Sequence, residues 1–132
     1  MSLIRVPVSH GELIDKLTIL EIKARRIADA AKLANVRREL ELLESTWAAS
    51  EAAKVDIAAE RGQLLAVNEQ LWSIEDAIRR KELAHAFDHE FIELARSVYF
   101  RNDERAACKR AINLKLGSEL VEEKSYQDYR AS

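Results

Sequence analysis

The sequence predicts an all-α protein, a bundle of three or four long antiparallel helices with heptad-like seams. Alanine, leucine, glutamate, lysine and arginine dominate the chain, and all five favour helices. Only three glycines and one proline, Pro7, occur among the 132 residues. Apolar residues recur at spacings of four and three, as on one face of a helix. This length fits a single helical domain, residues 1–132, with an extended amino terminus and a C-terminal tail.

The first helix has the clearest start signal in the chain. Ser9 and Glu12 have the S-x-x-E spacing of a capping box, which satisfies the free backbone N–H groups at a helix start. We therefore predict a helix from His10 to about Ala31. Its seam consists of Leu13, Leu17, Leu20, Ala24, Ile27 and Ala31.

The second helix is predicted to follow Asn35, a residue type that caps helices. Its seam is Val36, Leu40, Leu43 and Trp47. Continued beyond that point, the same register falls mostly on polar residues, which predicts a bend or loop between Ser50 and Asp56. The alanine-rich segment 50–62 is also compatible with an uninterrupted helix, and the sequence leaves the two alternatives open.

Two further helices complete the predicted bundle. The third ends near residues 85–86, and its seam is Leu64, Val67, Leu71, Ile74 and Ile78. The fourth begins after Asp88 and ends at Gly117, a typical C-terminal stop. Polar residues interrupt the apolar stripe of this fourth helix. The helix therefore either continues with a polar face toward a neighbour or breaks at Asn102–Asp103. The tail, Ser118–Ser132, is expected to be extended or briefly helical and to lie on the bundle.

Charge and composition exclude several classes of protein. The formal net charge of −2 and the pI near 6.0 give no general attraction to nucleic acid. There is no apolar run near the length that spans a membrane, and the amino terminus lacks the apolar stretch of a signal peptide. A lone cysteine, Cys108, fits a reducing compartment. We therefore expect a cytoplasmic protein that binds neither nucleic acid nor membranes.

Four stretches carry a resemblance to a known family. They are PVSHGELIDKLTILEIK (7–23), LWSIEDAIR (71–79), FDHEFIELARSVYFRNDERAACKRAIN (87–113) and GSELVEEKSY (117–126). Together they resemble a family of uncharacterised bacterial proteins that carries a domain of unknown function. The resemblance implies a bacterial source and an intact single domain. It implies no activity, cofactor or catalytic residue.

A polar face on the third helix is the first candidate site. One stripe at helical spacing holds Asn68, Trp72, Glu75, Arg79 and Glu82, with Asp76 and Arg80 beside it. One interpretation is a ligand groove in which Trp72 is a stacking surface beside carboxylates and an arginine. The other is that Glu75–Arg79 and Asp76–Arg80 are ordinary i,i+4 surface pairs, each contributing about 0.2–0.5 kcal/mol.

A basic row on the fourth helix is the second candidate. Residues 96–115 carry six basic and two acidic groups, a local charge of +4, and residues 119–128 of the tail carry a local −3. Either the tail docks on this row by charge or the row binds an anion or phosphate. Antiparallel third and fourth helices would bring both candidates together. The combined candidate ligand site is Trp72, Glu75, Asp76, Arg79, Arg96, Tyr99, Asn102, Asp103, Arg105 and Lys109.

Other chemistry has little support in the sequence. His85 and His89 have the spacing of a helical metal pair, but a helix boundary at Asp88 would separate their faces. Cys108 has no histidine nearby in sequence and fits a packing role. No glycine-rich phosphate loop occurs. We expect no metal site, no cofactor and no catalytic residue.

Two hypotheses for the function follow. The first is a non-catalytic helical module for interaction or oligomerisation. The seams of the first two helices are long for one small domain, which predicts coiled-coil contacts and a homodimer or another protein partner. The second is a binding site, or the active site of an enzyme, for a small anionic or phosphorylated ligand between the third and fourth helices.

Overall fold

The computed structural model describes residues 2–130, so Met1 and the last two residues of the predicted tail lie outside the described part. The described residues form four α-helices and no strand, which confirms the predicted all-α bundle. The helices are α1 (His10–Arg26), α2 (Ala30–Ala48), α3 (Ala58–Leu83) and α4 (His89–Leu116), with one 3-10 turn (Glu51–Lys54) between α2 and α3.

The start of α1 is as predicted, but its end is not. Ser9 caps the helix, because its hydroxyl accepts a hydrogen bond from the Glu12 backbone N–H at 3.1 Å. The prediction that this helix continues to Ala31 is wrong: α1 ends at Arg26, and Ile27 is extended. The spacing of four and three continues past Arg26 only because apolar residues of α1 and α2 fall by chance into the same register.

The predicted cap of α2 was also wrong. Asp29 caps the helix by accepting a hydrogen bond from the Lys32 backbone N–H at 2.9 Å, and Asn35 lies inside α2. Aspartate is as strong a cap as asparagine, and this one comes first after the extended residue that ends α1. The bend between Ser50 and Asp56 is confirmed, since this segment holds only the 3-10 turn. An uninterrupted helix over residues 50–62 is therefore excluded.

The long helices α3 and α4 form an antiparallel hairpin. Lys115, near the end of α4, pairs with Glu60 at the start of α3 at 2.9 Å. At the other end, Lys81 of α3 pairs with Asp88 at 2.9 Å. Asp88 also caps α4, and Gly117 ends it in the left-handed conformation (φ 63°). Both boundaries are as predicted, and α4 runs unbroken through Asn102–Asp103.

The apolar core lies around α1, which packs against all three other helices. The buried cluster comprises Leu13, Ile14, Leu17, Ile57, Leu64 and Ile112. Because α1 has 17 residues and α3 and α4 have 26 and 28, the hairpin is much longer than the helix it packs on. Among the described residues, none between 72 and 108 is buried. Within this stretch, residues 72–101 of the α3–α4 hairpin are called the arm below.

Candidate functional site

A buried carboxylate, Asp15, lies at the crossing of α1 with the hairpin. Its residue is only 1% exposed. Arg105 of α4 binds it with two parallel hydrogen bonds, from Nε to Oδ1 at 3.0 Å and from Nη2 to Oδ2 at 2.6 Å. Asn68 of α3 donates its Nδ2 hydrogens to Asp15 Oδ1 at 2.9 Å and to the Thr18 hydroxyl at 3.0 Å. These four residues are called the Asp15 network.

The Asp15 network clamps three helices together. A buried charge is tolerated only when it is paired and hydrogen-bonded, and the two-pronged arginine contact meets both needs. The hydrogen bond from Arg105 to Asp15, which outweighs partial burial, raises the pKa of the guanidinium. The guanidinium therefore stays charged, and its two-pronged contact with Asp15 fixes how α1 lies across α3 and α4.

One turn nearer the start of α1, the backbone of α1 touches α4 directly. The Gly11 N–H donates to Asn113 Oδ1 at 2.6 Å. A Cβ atom at position 11 would lie 3.0 Å from that oxygen and well inside van der Waals contact of the Lys109 carbonyl oxygen. Only glycine allows this approach.

Lys109 joins α1, α4 and the tail. Its buried ammonium pairs with Glu12 at 2.7 Å and with Glu122 of the tail at 2.6 Å. Burial disfavours the charged form of Lys109, but the hydrogen bonds to both carboxylates outweigh it and raise the pKa. Glu12 therefore pairs with Lys109 instead of closing the predicted capping box with its side chain.

The tail docks on α4 through charge and aromatic contacts. Besides the Lys109–Glu122 pair, Arg110 pairs with Glu123 at 3.2 Å. Tyr129 donates a hydrogen bond to Asp103, and its ring packs against Tyr99 and Phe100 with ring centroids 4.9 and 5.1 Å apart. The tail of the same chain therefore contacts the basic row of α4 through Lys109 and Arg110.

Replacing Glu122 with glutamine should loosen the tail. The hydrogen bond from Lys109 lowers the pKa of Glu122, so its stabilising contact is complete above about pH 4.5 and is lost as the pH falls through the folded pKa. At neutral pH we expect the ring NMR signals of Tyr129 to move toward random-coil positions in Glu122→Gln, as they should in the wild type on acidification. Glu119→Gln is the matched control and should leave them in place. Unchanged Tyr129 signals in Glu122→Gln would show that charge does not hold the tail.

A cleft of about 500 Å³ opens beside the Asp15 network, where the arm leaves α1. Six of the ten predicted site residues line it. The lining consists of Ile19, Asn68, Leu71, Trp72, Glu75, Asp76, Arg79, Asn102 and Arg105. Glu75 pairs with Arg79, and Asp76 with Arg80, as the predicted i,i+4 surface pairs.

Four predicted site residues lie outside this lining. Arg96 pairs with Glu93 at 3.0 Å on the surface of α4. Tyr99 and Asp103 contact Tyr129 of the tail, and Lys109 belongs to the contact between α1 and the tail. The expected single cluster of ten residues is therefore corrected to a cleft of six and separate structural contacts.

The residue at the centre of the site, Asp15, was not among the predicted site residues. Asp15 stands between Ile14 and Leu17, two residues of the buried face of α1. A carboxylate in that position had to be paired in the fold, and this was the signal that could have found it. Asn68 was visible on the same polar stripe as Trp72, but its partner on α1 is 53 residues away in sequence.

The weaker candidates do not gather into a site. His85 lies in the turn between α3 and α4 with φ 53°, whereas His89 is the first residue of α4, so they share no helical face. Within residues 2–130, no group of three His, Cys, Asp or Glu side chains is placed to hold a metal ion. Partial burial raises the pKa of the Cys108 thiol, which makes the reactive thiolate scarcer.

By its fold and site, the chain is a helical bundle with a buried Asp–Arg clamp, an open cleft and a protruding two-helix arm. A family model matches residues 4–131, and the chain belongs to that family, a family of unknown function (DUF6165). No curated protein and no solved structure matches the chain. No helix in the described part of the chain is both long and apolar enough to cross a membrane.

Proposed function

We propose that this chain is a non-catalytic interaction module that forms a homodimer through its arm. The observation that carries the proposal is the absence of any buried residue between 72 and 108 within the described chain, although both helices of the arm present apolar side chains. A helix stabilises a fold by burying its apolar stripe against other elements. Two helices alone leave part of each stripe open, so the arm is suited to receive a partner.

The tip of the arm is the most exposed apolar part of the hairpin. Leu83 at the end of α3 is 84% exposed, and Ile92 in the first turn of α4 is 51% exposed. Phe87 in the turn between them is also exposed, and it packs edge-on against Phe91 with ring centroids 5.2 Å apart. Such residues become stabilising when a second surface covers them.

A second copy of the chain fits the charge of this surface. Residues 72–101 carry six acidic and five basic side chains, so the arm is nearly neutral and presents both signs. An isologous contact requires a surface that is complementary to itself, and mixed charge provides this where a single sign would repel. Two arms would pack as a four-helix bundle with coiled-coil-like contacts.

The seams of the first two helices do not support the dimer as expected. Leu13, Leu17 and Leu20 of α1 are buried within the chain itself, and Leu40, Leu43 and Trp47 of α2 pack against the same core. The dimer proposal therefore transfers from α1 and α2 to the arm. A cytoplasmic location belongs to the same proposal, supported by the lone and partly buried Cys108. A bacterial source is what the family resemblance implies.

The alternative prediction, a small anionic or phosphorylated ligand, is less well supported by the cleft. Glu75 and Asp76 line the same space as Arg79 and Arg105, so a purely anionic ligand would meet carboxylates as well as cations. Lys109, one of the predicted anion-binding groups, is engaged by Glu12 and Glu122.

Charge at the tip of the arm should separate the dimer. We expect Leu83→Lys/Ile92→Lys to remain folded and to have the monomer mass of 15.0 kDa by light scattering at micromolar concentration, where the wild type has twice that mass. Two lysines on each copy would place unpaired charge in the contact. Leu114→Lys is the matched control, since Leu114 is 66% exposed on α4 outside the arm, and it should remain a dimer. A wild-type dimer that the double variant leaves intact would refute the arm as the interface.

A further inference from the structure

The cleft between α1 and the arm has the size and lining of a small-molecule site. Its volume of about 500 Å³ lies in the range that binds small ligands. Ile19, Leu71 and Trp72 supply apolar and aromatic surface, and charged and amide groups surround them. This combination of an apolar body and a few placed polar groups fixes the orientation of a ligand.

Arg105 presents a positioned guanidinium to the cleft. Its Nε and Nη2 atoms donate to the buried Asp15, and within residues 2–130 its Nη1 atom has no hydrogen-bond partner. The side chain is therefore held in one orientation by the Asp15 network while part of its donor fork remains available. An arginine fixed in this way suits a carboxylate, because little side-chain freedom is lost on binding.

Asn102 adds a second donor to the same wall. It precedes Arg105 by three residues, so both lie on one face of α4, and both line the cleft. Among the described residues, its side-chain amide forms no hydrogen bond, although it stands where the apolar stripe of α4 would continue. An amide in this position can donate to a ligand carboxylate beside Arg105.

The α3 side of the cleft carries two carboxylates, Glu75 and Asp76, beside Arg79. Within residues 2–130, Glu75 and Asp76 of α3 pair only with Arg79 and Arg80 of their own helix, as exposed i,i+4 pairs. Such pairs are weak and exchange readily. An ammonium group in the cleft would find two carboxylates there, whereas a purely anionic ligand would meet these carboxylates as well as the arginines.

We propose that this cleft binds a small zwitterion, an α-amino acid or a close analogue, with its carboxylate on Arg105 and Asn102 and its ammonium group on Glu75 and Asp76. The apolar part of the ligand lies against Trp72. One face of that ring is already covered by Arg26, whose guanidinium carbon is 6.0 Å from the ring centroid. The ligand therefore packs on the surface of Trp72 that faces the cleft.

Tryptophan fluorescence gives a direct test. The chain has two tryptophans, and Trp47 packs against the core, so Trp47→Phe leaves Trp72 as the only reporter. This variant is titrated with the amino acids other than tryptophan, whose own fluorescence would mask the reporter, with the N-acetyl derivative and the decarboxylated amine of the best binder, and with inorganic phosphate. We expect saturable binding of one or more amino acids and at least a tenfold weaker affinity for both derivatives. Binding of phosphate or the N-acetyl compound with equal affinity, or no response to any amino acid at millimolar concentration, would overturn the proposal.

Two variants locate the site without disturbing the Asp15 network. In the Trp47→Phe background, Asn102→Leu and Glu75→Gln should each weaken binding at least fivefold while the melting temperature and the solution mass stay unchanged. Arg110→Gln, an exposed residue of α4 outside the cleft lining, is the control and should bind as the parent does. Unchanged affinity in both cleft variants would place any observed binding elsewhere. The mass measured in parallel keeps this result independent of the dimer proposal.

Discussion

Replacing Arg105 with methionine is expected to lower the free energy of unfolding by about 3–5 kcal/mol. The substitution keeps an apolar stem of similar length but leaves the Asp15 carboxylate, 1% exposed, without its cation. The Asn68 amide is then its remaining side-chain donor. Because a domain of this size has a total stability of about 5–15 kcal/mol, the loss should be plain in urea unfolding followed by circular dichroism.

Two further variants show whether the unpaired Asp15 carboxylate causes the loss of stability. Arg80→Met removes an exposed i,i+4 pair with Asp76 and should change stability by about 0.5 kcal/mol or less. Asp15→Asn combined with Arg105→Met removes both charges and should be more stable than Arg105→Met alone by about 1–2 kcal/mol. If Arg105→Met unfolds within 1 kcal/mol of the wild type, the Asp15 network is not a clamp.

Gly11→Ala is expected to destabilise the fold by about 1–3 kcal/mol, through overpacking against α4. The new methyl group would press on the Lys109 carbonyl oxygen, which is backbone and cannot rotate away. Moving α1 to relieve the contact would also stretch the hydrogen bond from the Gly11 N–H to Asn113. Thermal unfolding by calorimetry measures the effect.

Gly62→Ala is the matched control with the opposite sign. Gly62 lies inside α3, and a Cβ atom there would meet nothing within 4 Å. Alanine should therefore stabilise α3 by about 0.5–1 kcal/mol, since it restricts the unfolded chain and suits a helix better. Equal effects of the two substitutions would show that Gly11 is not at a close contact.

The helix boundaries could be predicted from the sequence wherever a single capping residue marks them. Ser9, Asp88 and Gly117 mark helix boundaries by their own chemistry, and the structure has each boundary where the sequence predicts it. The break after Arg26 was not predicted, because the heptad spacing of apolar residues continues from α1 into α2. Asp29 was the better cap, but only the extended conformation of Ile27 reveals that a helix ends there.

The candidate site was predictable where its residues share a helix. Trp72, Glu75, Asp76 and Arg79 lie together because α3 places them on one side. The partner of Arg105 was not predictable in this way, since Asp15 is 90 residues distant in sequence and the crossing of α1 over the hairpin brings the two together. Helical periodicity places residues on a face but does not show which other helix covers that face.

The buried charges and the exposed arm have different roles in this protein. Asp15, Arg105 and Lys109 are engaged by groups of the same chain and fix the arrangement of the helices. The arm contributes little to that core, since none of the described residues between 72 and 108 is buried. Its length therefore suits a surface that acts outside the monomer.

The most direct test of the homodimer is the mass of the wild-type protein by sedimentation equilibrium, from nanomolar to hundred-micromolar concentration. We expect a single reversible transition from 15.0 kDa to twice that mass and no larger species, because a two-fold contact between arms is closed. A mass of 15.0 kDa at every concentration would contradict the central claim, and the arm would then be an unpaired extension of a monomer.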